Sequence, residues 1–413
     1  MTKKSDTPAI RFKGFTDTWE QRKLGDISEI KTGPFGSTLH ADDYVSDGTP
    51  IITTEHFKTG ALPRSKNGLP QVSDSDYKRL TAYTLDDGDI VFSRVGSVDI
   101  NALITPFQSN WLFSGRVLRV RPQTDISSKF LHTRLETESI KTDIRTRAVG
   151  QTMPSINTEI LKITPLVLPS SAAEQEQIGS YFAALDNLIT LHQRKYDKLT
   201  NVKKSMLEKM FPKNGSNVPE IRFKGFTEAW EQRKFGEITS KYEDPVPTPH
   251  DGYYRLGIRS HAKGTFHSYV AKGQELETAQ MHRVAAGNFI VNITFGWEHA
   301  VAITDKNDAG KLVSHRFPQF SFAEGMVPEF FRYVIVDEKF RHHLWLASPG
   351  GAGRNRVLKL DEMLNYLMRF PSRDEQIKIA EFFRHLDNLI TLHQRELEKL
   401  KNIKKSCLEN MFV

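Results

Sequence analysis

The sequence contains a single cysteine, Cys407, among 413 residues. One thiol cannot form an internal disulfide, and it excludes zinc sites that need two or four cysteines. No apolar run approaches the roughly 20 residues that a membrane-spanning helix needs. The chain start, MTKKSD, also lacks the apolar segment of a secretory leader. We therefore expect a cytoplasmic protein of a reducing compartment, without a membrane partner.

Motifs that mark common enzyme classes are absent as well. The sequence has no P-loop (GxxxxGK followed by Ser or Thr), no HExxH zinc motif and no GxSxG nucleophile motif. It also lacks the Asn/Asp-Pro-Pro-Tyr motif that holds a flipped adenine in amino-methyltransferases. Glu29, Ile30 and Lys31 have the Glu-x-Lys spacing of some nucleases, but this triplet is common by chance. The sequence therefore predicts a chain without catalytic residues, metal ligands or a cofactor of its own.

The overall composition is that of an ordinary folded protein. Lys and Arg total 57 against 50 Asp and Glu, which gives a net charge of +7, and 38% of the residues are hydrophobic. These values argue against intrinsic disorder, and the length fits two or three domains. A pI near 9.2 suggests an acidic partner, but the excess charge is too modest to indicate nucleic acid on its own.

Two internal repeats organise the chain. Residues 10–25 (IRFKGFTDTWEQRKLG) match residues 221–236 (IRFKGFTEAWEQRKFG) at 13 of 16 positions. Residues 185–211 match residues 386–412 at 20 of 27 positions, and both segments begin with LDNLITLHQR. The chain therefore consists of two halves that share the same beginning and the same end, which we call the frames.

The segments between the frames, residues 26–170 and 237–370, show no comparable similarity, and we call them the inserts. Identical surfaces make identical contacts, so we expect the frames to dock the same partner twice and the inserts to bind different things. A duplication whose helices simply pack on each other is the simpler alternative, and the two interpretations are compatible. The predicted boundaries are a tail (1–9), a first domain (10–170), a first helix (171–211), a linker (212–220), a second domain (221–370) and a second helix (371–413).

The end of each half has the pattern of a long helix. Apolar residues recur at alternating spacings of four and three, which is the heptad pattern of a coiled coil. A helix from about residue 174 to 211 would be roughly 57 Å long, and the other copy is its obvious packing partner. In the second helix, the charged Lys404 occupies one position of this apolar stripe, which we call the seam. His192 and His393 occupy seam positions that are equivalent to each other in the two helices. We interpret these histidines as polar layers that fix the register, because no Cys or acidic pair lies nearby at ligand spacing.

Each insert is long enough for its own core. In the first, a turn at residues 87–89 precedes a predicted strand, and residues 111–121 predict another. In the second, an apolar run from Phe289 precedes residues 300–304, which can pair with it. Helical spacing is present at 127–144 and 328–346. The predicted fold class is α+β, or mixed α/β, with two globular domains that are each followed by a long helix and related by a pseudo-twofold axis.

Basic and amide side chains cluster in loops of both inserts. Such side chains read base edges, and glycine lets the backbone approach a phosphate closely. The predicted DNA-contacting residues of the first insert are Lys31, Thr32, Ser37, Ser93, Arg94, Ser97, Arg145, Arg147 and Gln151. Those of the second insert are Arg259, His261, Lys263, Arg354, Asn355 and Arg356. Ordinary solvated turns are the alternative for any one of these loops.

The ordered set of these features resembles the specificity subunit of type I restriction–modification enzymes. Each frame carries a Trp-Glu-Gln-Arg-Lys-x-Gly segment, starting at Trp19 and Trp230, that is similar to the family's entry to a target recognition domain. The run GQTMPSIN from Gly150 is similar to the family's exit from the first such domain. Glu-Gln pairs at 174–175 and 375–376 open the helices as in the family. The second exit, GRNRVL from Gly353, departs from the Met-Pro-x-Ile-Asn pattern.

This resemblance implies a division of labour. Each target recognition domain would read one half of a split double-stranded DNA target, and the helices would form an antiparallel coiled coil that sets the spacer. Two methyltransferase subunits would dock on the frames, and restriction (motor) subunits would join for cleavage. S-adenosylmethionine, ATP and magnesium would bind to those subunits. The implied docking residues are Trp19, Arg22, Trp230, Arg233, Asp186, Asn187, Asp387 and Asn388, with both tryptophans exposed.

The residues also leave two other functions open. A stand-alone DNA nuclease would need a divalent metal and would cleave DNA as the isolated chain. A coiled-coil interaction scaffold would show no sequence preference and a flat response to salt.

Overall fold

The computed structural model describes residues 7–34, 43–213, 215–276, 278, 280–350 and 356–413. Two long helices, Ala172–Lys209 and Arg373–Asn410, have 38 residues each and begin and end 201 positions apart, as the repeat does. The chain separates into two compact units: unit 1 extends to Arg194 and also includes Gln394–Val413, whereas unit 2 is Lys195–His393. Each unit therefore contains the beginning of its own long helix and the end of the other one.

Unit 1 is an α+β globule. Its strands are Glu20–Lys23, Ser28–Thr32, Tyr44–Val45, Thr49–Ile52, Gln71–Val72, Ile90–Ser93, Asn101–Leu103, Leu112–Phe113, Val117–Pro122 and Pro165–Leu168. Its shorter helices are Leu24–Ile27, Asp74–Arg79, Ser128–Leu135, Glu138–Arg147 and Thr158–Lys162, with 3-10 turns at Thr54–Phe57, Thr81–Tyr83 and Pro106–Gln108. The main sheet is antiparallel and has the strand order Ser28–Thr32, Val117–Pro122, Ile90–Ser93, Asn101–Leu103. A second sheet has the order Tyr44–Val45, Gln71–Val72, Thr49–Ile52, Leu112–Phe113.

Unit 2 contains a corresponding set of elements. Its strands are Glu231–Lys234, Thr239–Tyr242, Pro245–Pro247, Tyr253–Ile258, Thr265–Val270, Gln280–Arg283, Phe289–Val291, Val301–Ile303, Leu312–Val313, Gln319–Phe322 and Leu367–Phe370. Its shorter helices are Pro328–Val334, Glu338–Leu346 and Leu360–Leu364, with 3-10 turns at Phe235–Glu237 and Gly296–Glu298. The main sheet has the strand order Thr239–Tyr242, Gln319–Phe322, Phe289–Val291, Val301–Ile303. A second sheet has the order Pro245–Pro247, Gln280–Arg283, Leu312–Val313, Tyr253–Ile258, Thr265–Val270.

The two inserts fold alike although their sequences differ. In each main sheet the first strand lies at the edge beside the last strand, and a hairpin completes the other side. The predicted pairing after Phe289 is confirmed, because Phe289–Val291 pairs antiparallel with Val301–Ile303. The single strand predicted over residues 111–121 is wrong: a turn in which Val117 N–H donates to Ser114 O at 2.9 Å divides it into two. The mixed α+β class with a long helix after each globule is confirmed.

In each unit a separate two-stranded sheet joins the entry of the domain to its exit. In unit 1, Glu20–Lys23 pairs antiparallel with Pro165–Leu168, and in unit 2 Glu231–Lys234 pairs in the same way with Leu367–Phe370. The entry strand of each domain is therefore hydrogen-bonded to the strand that leads into its long helix.

A buried ion pair ties the start of each frame to its own long helix. Arg11 donates two hydrogen bonds to Glu174 at 2.6 and 2.8 Å, and Arg222 donates two to Glu375 at 2.8 and 2.7 Å. Both carboxylates are only 1% exposed, so removing either arginine would leave a buried charge without its partner. The Glu-Gln signature at the helix start is therefore structural, since the glutamate holds the frame.

The end of the opposite long helix closes each core. In unit 1, Ile10 N–H donates to Asn410 O at 2.9 Å, and the Phe412 ring lies 6.1 Å from Trp19 and 5.8 Å from Phe130. In unit 2, Ile221 N–H donates to Lys209 O at 2.9 Å, and Phe211 takes the equivalent position beside Trp230. The closing phenylalanine lies 393 positions from Trp19 in unit 1 but only 19 positions from Trp230 in unit 2.

Each long helix has a lysine within its seam, Lys203 in the first and Lys404 in the second, and an aspartate lies beside each lysine. Lys404 Nζ lies 2.6 Å from Asp186 Oδ1 in unit 1, and Lys203 Nζ lies 2.5 Å from Asp387 Oδ1 in unit 2. Tyr181 and Cys407 also meet in unit 1, with the oxygen and sulfur 3.6 Å apart. Early residues of one helix therefore lie beside late residues of the other, which makes the packing of the two helix segments within each unit antiparallel.

The glycine inside the first long helix marks a close contact. A Cβ on Gly179 would lie 2.5 Å from the backbone nitrogen of Phe130. The helix Ser128–Leu135 can approach the long helix this closely only because position 179 has no side chain.

We predict that Phe412→Ala destabilises unit 1 by about 3 kcal/mol, because a buried phenyl ring is replaced by a cavity. The ring is 8% exposed, so most of its surface is lost from the core. Thermal unfolding followed by calorimetry measures the effect. Met153→Ala, at a residue that is 67% exposed, is the matched control. An unchanged unfolding temperature for Phe412→Ala would show that the chain end does not close the core.

A second prediction concerns pH. Burial, with a smaller contribution from Lys404, lowers the pKa of His132 to about 4. On acidification, His132 therefore binds a proton near pH 6.5 in the unfolded chain, whereas in the folded chain it stays neutral until the pH is near 4. Stability is full above pH 6.5 and falls by about 3 kcal/mol as the pH drops towards 4. Denaturant titrations across this range should show a shallower pH slope for His132→Gln, whereas His342→Gln, at an exposed position, should behave as wild type.

Candidate nucleic-acid interface and docking grooves

In unit 1 the end of a main-sheet strand supports the candidate DNA surface. The Arg94 guanidinium follows Ile90–Ser93 and donates to Gly115 O at 3.1 Å and to Thr32 Oγ1 at 3.5 Å. A Cβ on Gly33 would lie 2.1 Å from Ser114 O, so the backbone needs glycine at this crossing. Three loops that are far apart in sequence therefore meet at Arg94.

The exit segment of the first insert lies beside the same loop. Ile156 N–H donates to Arg94 O at 2.9 Å, and Gly96 N–H donates to Pro154 O at 2.8 Å. Gln151 and Ser97 are both exposed on this surface. The structure thus brings together Thr32, Arg94, Ser97 and Gln151 from the predicted set.

Other predicted residues of the first insert have internal roles. Ser93 is 5% exposed and its hydroxyl donates to Val95 O, so the prediction that it contacts DNA is wrong. Arg145 forms ion pairs with Asp99 and Glu138, and its hydrogen bond to Glu138 raises the pKa of the guanidinium. Arg147 pairs with Asp143 at 2.8 Å. Their contacts with DNA stay predictions, and Ser37 lies outside the described residues.

Lys31 and the nuclease-like triplet are also engaged within unit 1. Lys31 Nζ donates to Ala82 O at 2.8 Å and lies 5.1 Å from the centre of the Tyr83 ring. Glu29 forms an ion pair with Arg119 at 3.0 Å. In the part of the chain that the structure describes, no group of three or more His, Cys, Asp or Glu side chains could hold a metal ion.

In unit 2 an equivalent surface forms at the end of Phe289–Val291. Leu358 N–H donates to Ile293 O at 2.9 Å, just as Ile156 does to Arg94 in unit 1. The basic loop docks on the same turn, since His261 N–H donates to Glu298 O at 2.9 Å. Arg259, His261 and Lys263 are exposed, and the Arg259 guanidinium donates to Thr265 O. Arg354 and Asn355 lie outside the described residues.

Two tryptophans that the sequence analysis did not single out belong to this surface. The Arg356 guanidinium lies 5.1 Å from the centre of the Trp345 ring and 5.9 Å from that of Trp297. The sequence carried a signal for Trp297, because Phe-Gly-Trp directly follows the predicted strand. Trp297 corresponds in position to Val98 of the first insert. Nothing in the sequence pointed to Trp345, which lies near the end of Glu338–Leu346.

The expected docking residues divide into buried and exposed ones. Trp19 and Trp230 are only 4% and 2% exposed, so the prediction that they are exposed is wrong. Their rings face the phenylalanine that closes each core, and Trp230 also lines a groove of unit 2. Asp186 and Asp387 form ion pairs with the seam lysines, as described above. Arg22 is half-buried, Arg233 pairs with Glu231 at 2.5 Å, and Asn187 and Asn388 are exposed, so docking at these positions stays a prediction.

Each unit has a groove beside the end of the long helix that closes it, which we call the helix-end groove. The cavities measure about 650 Å³ in unit 2 and about 770 Å³ in unit 1. In unit 2 the repeated lining residues are Lys203, Lys204, Leu207, Glu208 and Phe211. In unit 1 they are Lys404, Lys405, Leu408, Glu409 and Phe412. The five residue types are identical at equivalent positions.

The opposite wall of each helix-end groove is the junction between two short helices, and it differs between the units. Arg134, Glu136 and Thr137 form it in unit 1, whereas Tyr333, Val336 and Asp337 form it in unit 2. Burial next to Asp387 raises the pKa of Tyr333, whose hydroxyl donates to that carboxylate at 3.0 Å. Of each lysine pair, the first pairs with an aspartate and the second is exposed.

Among the helices in the described ranges, none combines the length and the apolar composition that crossing a bilayer requires.

Comparisons with known proteins agree with this architecture. A family model for the type I restriction modification DNA specificity domain matches residues 16–201. The chain is 24% identical to the MjaX specificity subunit of Methanocaldococcus jannaschii, over 95% of this chain and 92% of that protein. It is 21% identical to the MjaVIII specificity subunit of the same organism, over 95% and 91%. The crystal structure of a type I restriction-modification S subunit from M. genitalium has the same fold, with a TM-score of 0.60 and 12% identity over 98% of this chain and 99% of that one.

The family match begins in the first frame and ends in the first long helix, and the second half of the chain repeats both frames. The relatives cover nearly the whole chain, including both units. On these grounds, the chain is similar over nearly its whole length to the specificity subunits of type I restriction–modification systems.

Proposed function

We propose that each unit of this chain reads one half of a bipartite double-stranded DNA target. The observation that carries the proposal is the pair of equivalent loop surfaces, in which an exit loop is hydrogen-bonded to the turn after the same main-sheet strand. A scaffold repeated in this way holds variable side chains in equivalent positions. The match of residues 16–201 to a DNA specificity domain supports the same assignment.

The chemistry of the two surfaces suits base reading. Unit 1 presents Arg94 and Gln151, and unit 2 presents Arg356 and His261. Arginine and glutamine make bidentate hydrogen bonds to guanine and adenine in the major groove. Because the two sets of side chains differ, the two half-sites differ, and the target is not a palindrome. Readers on one face of DNA favour half-sites about one helical turn apart, roughly 34–36 Å.

The frames supply docking in this proposal. The two helix-end grooves share five residue types on one wall, so the same partner can bind twice. The similarity to type I specificity subunits supports a methyltransferase subunit as that partner, with restriction (motor) subunits joining the complex for cleavage. We place S-adenosylmethionine, ATP and magnesium on those subunits, and we assign this chain DNA recognition without catalysis, in the cytoplasm.

The long helices set the spacer in this account. Each has 38 residues, which corresponds to roughly 57 Å. The antiparallel seam fixes the helices along their axes through the two Lys–Asp pairs, so the register cannot slip without separating opposite charges.

An exchange of inserts tests the assignment of one half-site to each unit. Replacing residues 26–170 with the insert of another family member should change one half-site and leave the other and the spacer as they are, because the second unit keeps its loops. Methylation-site mapping with the assembled complex measures this. The replacement must keep an aromatic residue at position 130 to preserve the contact with Phe412. A change in both half-sites would contradict the proposal.

A charge reversal tests the docking grooves. Lys204→Glu and Lys405→Glu should each weaken the binding of one of two methyltransferase subunits, by about tenfold, since like charges then meet in the groove. The double variant should lose both subunits. Native mass spectrometry of the assembled complex counts them, and Lys78→Glu, at an exposed residue of the first insert, is the control. Two subunits bound at wild-type affinity by the double variant would place the docking site elsewhere.

A further inference from the structure

Four side chains form a stack on the surface of unit 2. Arg356 lies over the rings of Trp345 and Trp297, at 5.1 and 5.9 Å from their centres. The His342 ring is stacked on Trp345 with 6.0 Å between centres and an interplanar angle of 11°. Three separate segments contribute to it: the helix Glu338–Leu346, the turn Gly296–Glu298 and the exit loop.

This guanidinium is held by aromatic rings rather than by a carboxylate. Among the residues that the structure describes, no Asp or Glu forms an ion pair with Arg356, whereas Arg145 pairs with two acidic side chains and Arg147 with one. An indole face orients a guanidinium through cation–π attraction and leaves its in-plane N–H groups available. The guanidinium of Arg356 is therefore held in one orientation, and its N–H donors remain available to a ligand.

The surface around the stack is apolar and exposed. Trp345, Leu346 and Val357 are 45%, 60% and 53% exposed, and Phe295 beside the turn is 38% exposed. Exposed apolar side chains clustered around a cation mark an interaction site. Phosphate oxygens favour polar and charged donors, whereas base edges offer acceptors next to apolar groups such as the thymine methyl.

We infer that Arg356 reads a guanine in the half-site bound by unit 2, and that Trp297 and Trp345 are positioning residues for its guanidinium. The inference rests on the proposed function, because it presumes that unit 2 binds a DNA half-site. Guanine is the base whose O6 and N7 acceptors match the two parallel N–H donors of an arginine fork. An arginine fixed by two rings loses less conformational freedom on binding than one that is free to rotate.

Among the residues of unit 1 that the structure describes, no counterpart of this stack is present. The hydrogen bonds Ile156 to Arg94 and Leu358 to Ile293 align the two surfaces. In this alignment Val98, which is 2% exposed, takes the position of Trp297, and Pro154 takes that of Arg356. An arginine–guanine contact supported by two tryptophan rings therefore belongs to the half-site of unit 2.

The test uses the full chain assembled with its methyltransferase subunits and a random double-stranded DNA library. Wild type should enrich a half-site with an invariant guanine. Arg356→Lys keeps the charge but loses the fork, so the preference for guanine at that one position should fall by about 5- to 150-fold. Arg356→Gln should remove it, and Trp345→Leu should weaken it at the same position. Arg283→Gln, at an arginine elsewhere on unit 2, should leave the motif unchanged.

The outcomes separate the inference from the proposed function. Wild-type enrichment of two half-sites with no position relaxed by the Arg356 variants would overturn the inference and leave the proposed function standing. A uniform loss of affinity across all sequences in Arg356→Gln would mark a phosphate contact and would also overturn it. No enriched motif with wild type would overturn the proposed function itself. Circular dichroism melting of each variant confirms that the fold is retained.

Discussion

The closure of each globular unit by the end of the opposite long helix is the interaction on which the rest of the structure depends. Phe412 packs beside Trp19 and Phe130, and Phe211 takes the same position beside Trp230 and Phe330. A helix of 38 residues with one apolar stripe is not stable alone in water, so its two ends must both be packed. Closure supplies that packing, while the Lys–Asp pairs fix the register.

This constraint explains why the frames are nearly identical. In each half, a repeated tryptophan and a repeated phenylalanine close a core. The repeated Arg–Glu pair and the seam lysine tie the long helices to the units. Much of the repeated sequence is thus structural. Other repeated residues stay exposed, among them Lys204 and Lys405, Asn187 and Asn388, and Leu191 and Leu392. In the proposed docking, a partner that binds twice would contact exposed residues of this repeated kind.

The sequence predicted the features that depend on local pattern. The long helices, the pairing after Phe289 and the α+β class follow from periodicity and turn residues, which are properties of neighbouring positions. The burial of Trp19 could not be predicted, because its neighbour Phe412 is 393 positions away. For the same reason the sequence did not reveal that Arg145 pairs with Asp99, or that Arg356 meets Trp297 and Trp345. The local sequence pattern predicts where the loops lie. Only the folded structure shows which loop side chains keep hydrogen-bond donors available for DNA.

The most direct test of the account is selection of wild-type complexes on random-sequence DNA at two salt concentrations. The account predicts enrichment of two different short motifs separated by a fixed gap, at both salt concentrations. It also predicts affinity that falls with salt, since phosphate contacts add to base contacts. Binding with a steep salt dependence but no enriched motif would contradict it, because the chain would then only coat DNA. The identical frames would have to be explained by partner docking alone.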